Sequence, residues 1–292
     1  MRLCKPSFEI WNQPAGLEGV YKQIERVGRV CYKSEDKITE DSAKPFVDRM
    51  IKSGHGAMLE HGTLYLKIPA NIDVAGNFLD EVPTWTKCKL VESQEGNWWA
   101  VTTNLRVMIE HFASEYIEEL IENYLCEPTE FHEKRITVHF VCDRGVSHEF
   151  VRHRVMSFAQ ESTRYCNYSK DKFGNELTFI QPCWLDDERL KLYGPYHAVI
   201  RDKSPESIFI ANLNNAERDY LDLIGLGWKP QEARAVLPNS LKTELVVTGF
   251  TSDWNHFFDL RARGTTGAPH PQAKELAEPL MKEFIARKYI NN

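Results

Sequence analysis

Residues 152–165, RHRVMSFAQESTRY, set three arginines and a histidine among small polar residues and two aromatics. A guanidinium stays protonated and cannot serve as a base, but its planar fork of N–H donors matches phosphate or carboxylate oxygens. Arg152 and Arg164, flanking Ser162, therefore read as anion ligands, with the Ser162 hydroxyl as a further donor. Two more arginines stand in apolar company, Arg234 in EARAVLP and Arg261 in FFDLRARG. Such an arginine needs an anion or acceptors, because burying it unpaired is costly. Three segments supplying arginines of this kind favour one shared pocket for a phosphate or similar dianion over separate ion pairs.

Other chemistries fit these residues less well. His148 and His153 bracket Glu149 much as in a zinc-protease helix, but they are five apart where one helix face needs four. The neighbouring arginines would also oppose a dication, so no metal site is expected. Ser162 lacks a G-x-S-x-G turn and an adjacent base, which makes it a donor to a ligand rather than an acyl carrier. His61, His111 and His139 read as core or hydrogen-bonded structural residues. Trp98-Trp99 and Phe257-Phe258 read as core aromatics, and residues 274–288 as a solvated helix face.

The 292-residue chain carries 36 Lys plus Arg against 42 Asp plus Glu, a net charge of −6. With that balance a general nucleic-acid or acidic-membrane footprint is not expected, so any anion site is local. No run approaches the ~18 apolar residues of a membrane helix, and MRLCKPSFEIWNQ has no apolar stretch suited to a secretory signal. Seven cysteines without a CxxC suit reduced thiols and a cytoplasmic setting.

The elements that must hold the arginines follow from periodicity. After a turn at residues 12–16, Leu17, Val20, Tyr21, Ile24 and Val27 predict an amphipathic helix. A second helix opens at Ser42, turns Phe46, Met50 and Ile51 inward, and stops at Gly54. Residues 64–68 and 97–102 are strand-like. A helix from Thr103 or Asn104 to about Tyr124 would bury Val107, Met108, His111, Phe112, Tyr116 and Leu120. Residues 136–141 form a strand, followed over 143–151 by a helix that delivers the RHR run at its end. Later come helices over 208–224, from Pro230 to Val236, over 254–261 with Asp253 as cap, and from Pro271 with Pro279 inside; residues 245–250 are β-rich. The pattern is α/β (α+β), a single domain over residues 1–292 with 70–134 as an inserted subdomain.

Arg152-His153-Arg154, seven residues, then Ser162 resembles the signature of the flavin-dependent thymidylate synthase family. In order along the chain, Gly54-His55-Gly56-Ala57-Met58-Leu59-Glu60-His61 is similar to the family's GHxxxxEH segment. Arg234-Ala235-Val236-Leu237-Pro238 is similar to its RxxLP, residues 257–261 to its (F/L)xxLR, and His270-Pro271-Gln272 to its H-x-Q. The matching stretches are about 15–68, 135–170 and 230–285.

The resemblance implies a homotetrameric α/β enzyme, a mixed sheet flanked by helices, with active sites shared between subunits and FAD as cofactor. It implies methylation of dUMP to dTMP with methylenetetrahydrofolate as carbon donor and NADPH as reductant, and no essential cysteine. Carried over by position, Glu149, Arg152, Gln160, Glu161, Ser162, Thr163, Arg164, Arg234 and Arg261 would surround dUMP. Arg261, beside the uracil N3/O4 edge, would stabilise charge as C5 becomes nucleophilic, with Ser162 the second catalytic candidate. His55, Ala57, Arg152, His153, Arg154, Gln160, Phe250, Thr251, Ser252 and His256 would face FAD. Several positions depart from the family's usual residues. Gln160 replaces a common Glu, Ala159 often Asn, Glu149 a common Gln, and Phe250 and Ser252 polar or basic residues. These leave UMP as substrate, or a hydroxymethyl product, as alternatives within the same chemistry. Outside it stand a nucleic-acid binder using the basic run, which net charge opposes, and a flavoprotein scaffold without activity.

Overall fold

In the computed structural model, which describes residues 1–72, 85–185, 187–191 and 204–291, the chain forms three sheets with helices around them. The strands are β1 (Arg2–Cys4), β2 (Ser7–Trp11), β3 (Thr63–Pro69), β4 (Lys87–Val91), β5 (Trp98–Asn104), β6 (Arg135–Asp143), β7 (Ser157–Gln160), β8 (Thr178–Ile180) and β9 (Lys242–Phe250). The helices are α1 (Gly16–Tyr32), α2 (Ala43–Lys52), α3 (Gly56–Leu59), α4 (Leu105–His111), α5 (Ser114–Tyr124), α6 (Arg144–Phe150), α7 (Asp187–Lys191), α8 (Pro205–Gly225), α9 (Pro230–Ala233), α10 (Thr251–Phe258) and α11 (Pro271–Ala286). The expected α+β class is observed. In the order β2-β6-β9-β7 four strands make an antiparallel sheet, β3-β5-β4 make a second, and among the described residues only the β1–β8 pair is parallel.

β6 and β9 run side by side from Arg135↔Phe250 to Asp143↔Lys242, and their β-branched residues suit a buried pleated surface. One face of this pair packs Val138, Phe140 and Val247 against Phe150, Trp254, Phe257, Phe258 and Phe284 from α6, α10 and α11. Burying each of those phenylalanines stabilises the fold by about 1.5–3 kcal/mol. Across the sheet, Val246 and Ala159 meet Val27 and Val30 of α1. Lys33 ends α1 in a left-handed conformation, φ 47°, donating its N–H to Arg29 and Val30 carbonyls. β4 and β5 extend the sheet begun by β3, and Leu66, Val101 and Leu120 share a core with Val20, Ile24 and Phe46 of α1 and α2. Residues 73–84 of the expected insertion lie outside the described residues.

The structure corrects four local expectations. The helix expected from residue 103 or 104 to 124 breaks where Phe112 and Ala113 are extended, ψ 149° and 148°. A straight helix of that length would span ~30 Å; the break lets Met108 and Leu120 both reach the sheet, and leaves His111 exposed rather than inward. Ile51 faces solvent at the end of α2. The stretch leading to Ser162, to which the sequence assigns no strand, contains β7, whose four residues are too few for periodicity to reveal. Finally, α10 starts at Thr251, with the Asp253 carboxylate accepting the Phe250 N–H at 3.1 Å from within the first turn. It then widens into a π turn over Asp259–Arg263.

Candidate active site

The site is assembled around α6. Asp143 caps it: Oδ1 accepts the Val146 N–H at 2.7 Å, while Oδ2 accepts from Gln272 Nε2 at 2.7 Å. The His270-Pro271-Gln272 segment thus ties the start of α11 to the start of α6. Beyond α6 the chain turns through Arg152-His153-Arg154 and lies back over β9. A Cβ at Gly249 would stand 2.9 Å from the Met156 side chain, so glycine there allows the close approach.

At the C-terminal end of α6, Arg261 from the π turn donates through Nη1 to Glu149 Oε2 at 2.7 Å and through Nη2 to the Glu149 carbonyl at 2.8 Å. Its Nε–H donates to His153 Nε2 at 3.3 Å. That bond needs a neutral imidazole protonated at Nδ1. Burial, with Arg261 and then His256 adding to it, pushes the His153 pKa down to about 4. A folded value below the unfolded one favours folding above about pH 6.5, and the contribution fades as pH falls towards the folded value. NMR titration is expected to find His153 neutral at pH 6. In Arg261→Ala its pKa should rise, because a neighbouring positive charge has gone; an unmoved value would contradict the contact.

At the other end of α6, Arg234 Nη1 lies 3.3 Å from Thr163 Oγ1, and both line a cavity of about 320 Å³ with Arg144, Pro238 and Asn239. Ser162 is fixed by its N–H donating to the Cys31 carbonyl at 3.0 Å, and its Oγ accepts the Arg164 N–H at 3.3 Å. No base among the described residues is hydrogen-bonded to that hydroxyl, which suits a ligand donor rather than a nucleophile. Burial pushes the Cys31 thiol up to about 11, so it holds its proton at neutral pH. Between the two ends, Gln160 Nε2 donates to Ser147 Oγ of α6 at 2.8 Å and to Thr243 Oγ1 at 3.2 Å. Arg152, Arg154 and Arg164 are exposed, the last above the ring of Tyr165 at 5.4 Å.

The remaining expected positions divide. His55 and Ala57 are exposed at the start of α3, which packs against β7. Thr251 and Ser252 line a second cavity, of about 490 Å³, with Asn255 and Arg263, and the His256 ring lies 5.8 Å from His153. Two expected ligands are placed elsewhere. Phe250 is 2% exposed with its ring beneath Arg135 and Lys87, so it has no side chain to offer a flavin. Glu161 is also 2% exposed, and its carboxylate takes Lys242 Nζ at 2.9 Å and the Tyr168 hydroxyl at 3.0 Å. Lys242 also meets Glu244, which accepts from Lys33 Nζ at 2.8 Å and pairs with His139 Nε2 at 2.9 Å. Burial alone would raise the Glu244 pKa, but His139, Lys242 and Lys33 together hold it well below the usual carboxylate range. His139 and His61, the latter 2.7 Å from Thr248 Oγ1, are the structural residues expected. Arg144, Lys242 and the Gln272–Asp143 bond were not anticipated; of these, only the capping aspartate before α6 leaves a mark readable in sequence.

The family model described as thymidylate synthase complementing protein matches residues 89–287. The chain belongs to that family. A flavin-dependent thymidylate synthase of Pyrococcus furiosus is 32% identical over 149 residues, 51% of this chain and 53% of that protein. The chain thus spans about half the length of that relative. One from Corynebacterium aurimucosum is 24% identical over 275 residues, 93% of this chain and 78% of its own. Among solved structures, a UMP/dUMP methylase PolB from Streptomyces cacaoi bound with 5-Br dUMP covers 98% of this chain and 93% of its own, at 16% identity and TM-score 0.43. Within the family match fall all the arginines described above, from Arg144 to Arg261.

Proposed function

We propose that the protein binds dUMP along α6 and methylates its C5 to give dTMP, using FAD, with methylenetetrahydrofolate as carbon donor and NADPH as reductant. The observation that carries this reading is the pair of cationic ends on one short helix. Arg144 and Glu149 are five residues apart, about 8 Å along the axis. That is on the scale of the distance from phosphate to base in one nucleoside monophosphate. Arg234, Thr163 and Ser162 would take the phosphate and sugar, and Gln160 would border the middle. Arg261, held by Glu149 and His153, would meet the pyrimidine edge and stabilise negative charge there.

The donors on the other side fit a flavin dinucleotide. Arg152 and Arg154 have no acidic partner among the described residues, and His153, His256, Thr251 and Ser252 lie on the same flank. The guanidiniums of Arg152 and Arg154 suit a pyrophosphate and an electron-rich ring, while Glu133, which accepts the Ser252 N–H at 3.1 Å, borders the second cavity. Bound there, FAD would supply the hydride that completes methyl formation. The exposure of Arg152, Arg154, Arg164 and Tyr165 leaves this flank open, consistent with a homotetramer whose subunits close one another's sites in the cytoplasm. Residues 70–88, which precede the family match, would then stand outside the chemistry.

The test is direct. Purified protein is expected to show a flavin spectrum and to release tritium from C5-labelled dUMP when folate and NADPH are present. A colourless preparation after soaking with FAD would sink the reading, and release from labelled UMP alone would move the substrate to the ribonucleotide.

A further inference from the structure

Arg144, one residue after the cap of α6, was not among the arginines singled out in the sequence. Its backbone N–H is spent on the carbonyls of Asn239 and Leu241 at 2.9 and 3.2 Å. Its guanidinium is half-buried and has no hydrogen bond or ion pair among the described residues, and Nη1 is shielded from solvent without a partner. A cation in that position is costly unless an anion arrives to compensate it. Arg144 lines the 320 Å³ cavity together with Arg234 and Thr163, and none of the residues lining that cavity is acidic. Two arginines therefore line one small space in a chain whose overall charge is negative.

We propose that Arg144 is a ligand of the nucleotide phosphate, binding the dianion jointly with Arg234 and Thr163. The proposal rests on the reading of this site as one for a nucleoside monophosphate. It also gives the Gln272–Asp143 bond a purpose: by fixing the cap, it fixes the residue that follows.

The experiment compares binding of dUMP and of deoxyuridine, which lacks the phosphate, to the flavin-loaded protein by calorimetry. Arg144→Gln is expected to weaken dUMP about 10- to 100-fold, as for loss of a charge-assisted contact, and to leave deoxyuridine unchanged. Arg144→Lys should recover part of the loss, since the charge returns without the fork. Equal dUMP affinity in wild type and Arg144→Gln overturns the proposal. So does a loss shared equally by dUMP and deoxyuridine, which would mark a structural role. A wild-type protein that binds dUMP no more tightly than deoxyuridine would instead remove the underlying reading of the site.

Discussion

Replacing Arg261 with alanine is expected to reduce turnover by about 100-fold or more while leaving dUMP affinity within a few-fold of wild type. The split follows from the geometry. Arg261 belongs to the Glu149 end of α6, whereas Arg144, Arg234 and Thr163 stand at the opposite end and keep their hold on the phosphate. What disappears is a positive charge held in place by two contacts to Glu149 and one to His153 before the reaction begins. Such preorganised charge acts on the transition state more than on the bound substrate. Folding should suffer little, because the Glu149 side chain left behind is one-third exposed and can be hydrated. Steady-state kinetics beside equilibrium binding decide the matter. An alanine variant with wild-type turnover would falsify the role given to Arg261.

Lys242→Met should destabilise the fold strongly, by about 3–5 kcal/mol. It leaves the fully buried Glu161 carboxylate with only the Tyr168 hydroxyl, and Glu244 with Lys33 and His139. Removing one partner of a buried pair costs far more than removing both. Glu161→Leu combined with Lys242→Met should therefore recover much of the loss, an outcome visible in urea unfolding. The depressed Glu244 pKa adds a pH signature: its contribution is present above the ordinary glutamate value and is lost as pH falls through the folded one. Wild type should thus lose stability on acidification below about pH 4.5 more steeply than the double variant. If the double variant is no more stable than Lys242→Met, the two side chains are not coupled.

Arg261 was legible because its company was unusual: an arginine in an aromatic run announces a need for partners, and it finds Glu149 and His153. Arg234 was read in the same way, but its neighbours Ala235 and Val236 lie at the surface and its side chain is exposed, reaching Thr163 alone among the described residues. The strand β6 was equally plain from its period-two pattern, and the short helix after it from its capping aspartate. Glu161 could not be placed from its neighbours, since its partners Lys242 and Tyr168 lie on β9 and in a later loop. Proximity to Ser162 in sequence made it look like a ligand, and side-chain alternation at the end of β7 turned it inward. Phe250 failed for a similar reason, because cross-strand pairing with Arg135 settles its ring in the core. Arg144 escaped notice because a lone arginine after a strand is unremarkable until the fold sets it beside Arg234.

The π turn at Asp259–Arg263 has a bearing on how this chain can vary through descent. Each residue deleted from a helical segment rotates whatever follows by about 100°. Losing one position ahead of Arg261 here would swing the guanidinium away from Glu149. Loss or gain of a residue within Asp259–Arg263 should therefore be purged by selection, while the exposed residues 266–268, beyond the Thr265 bonds to the Asp259 carbonyl, have more room to vary in length.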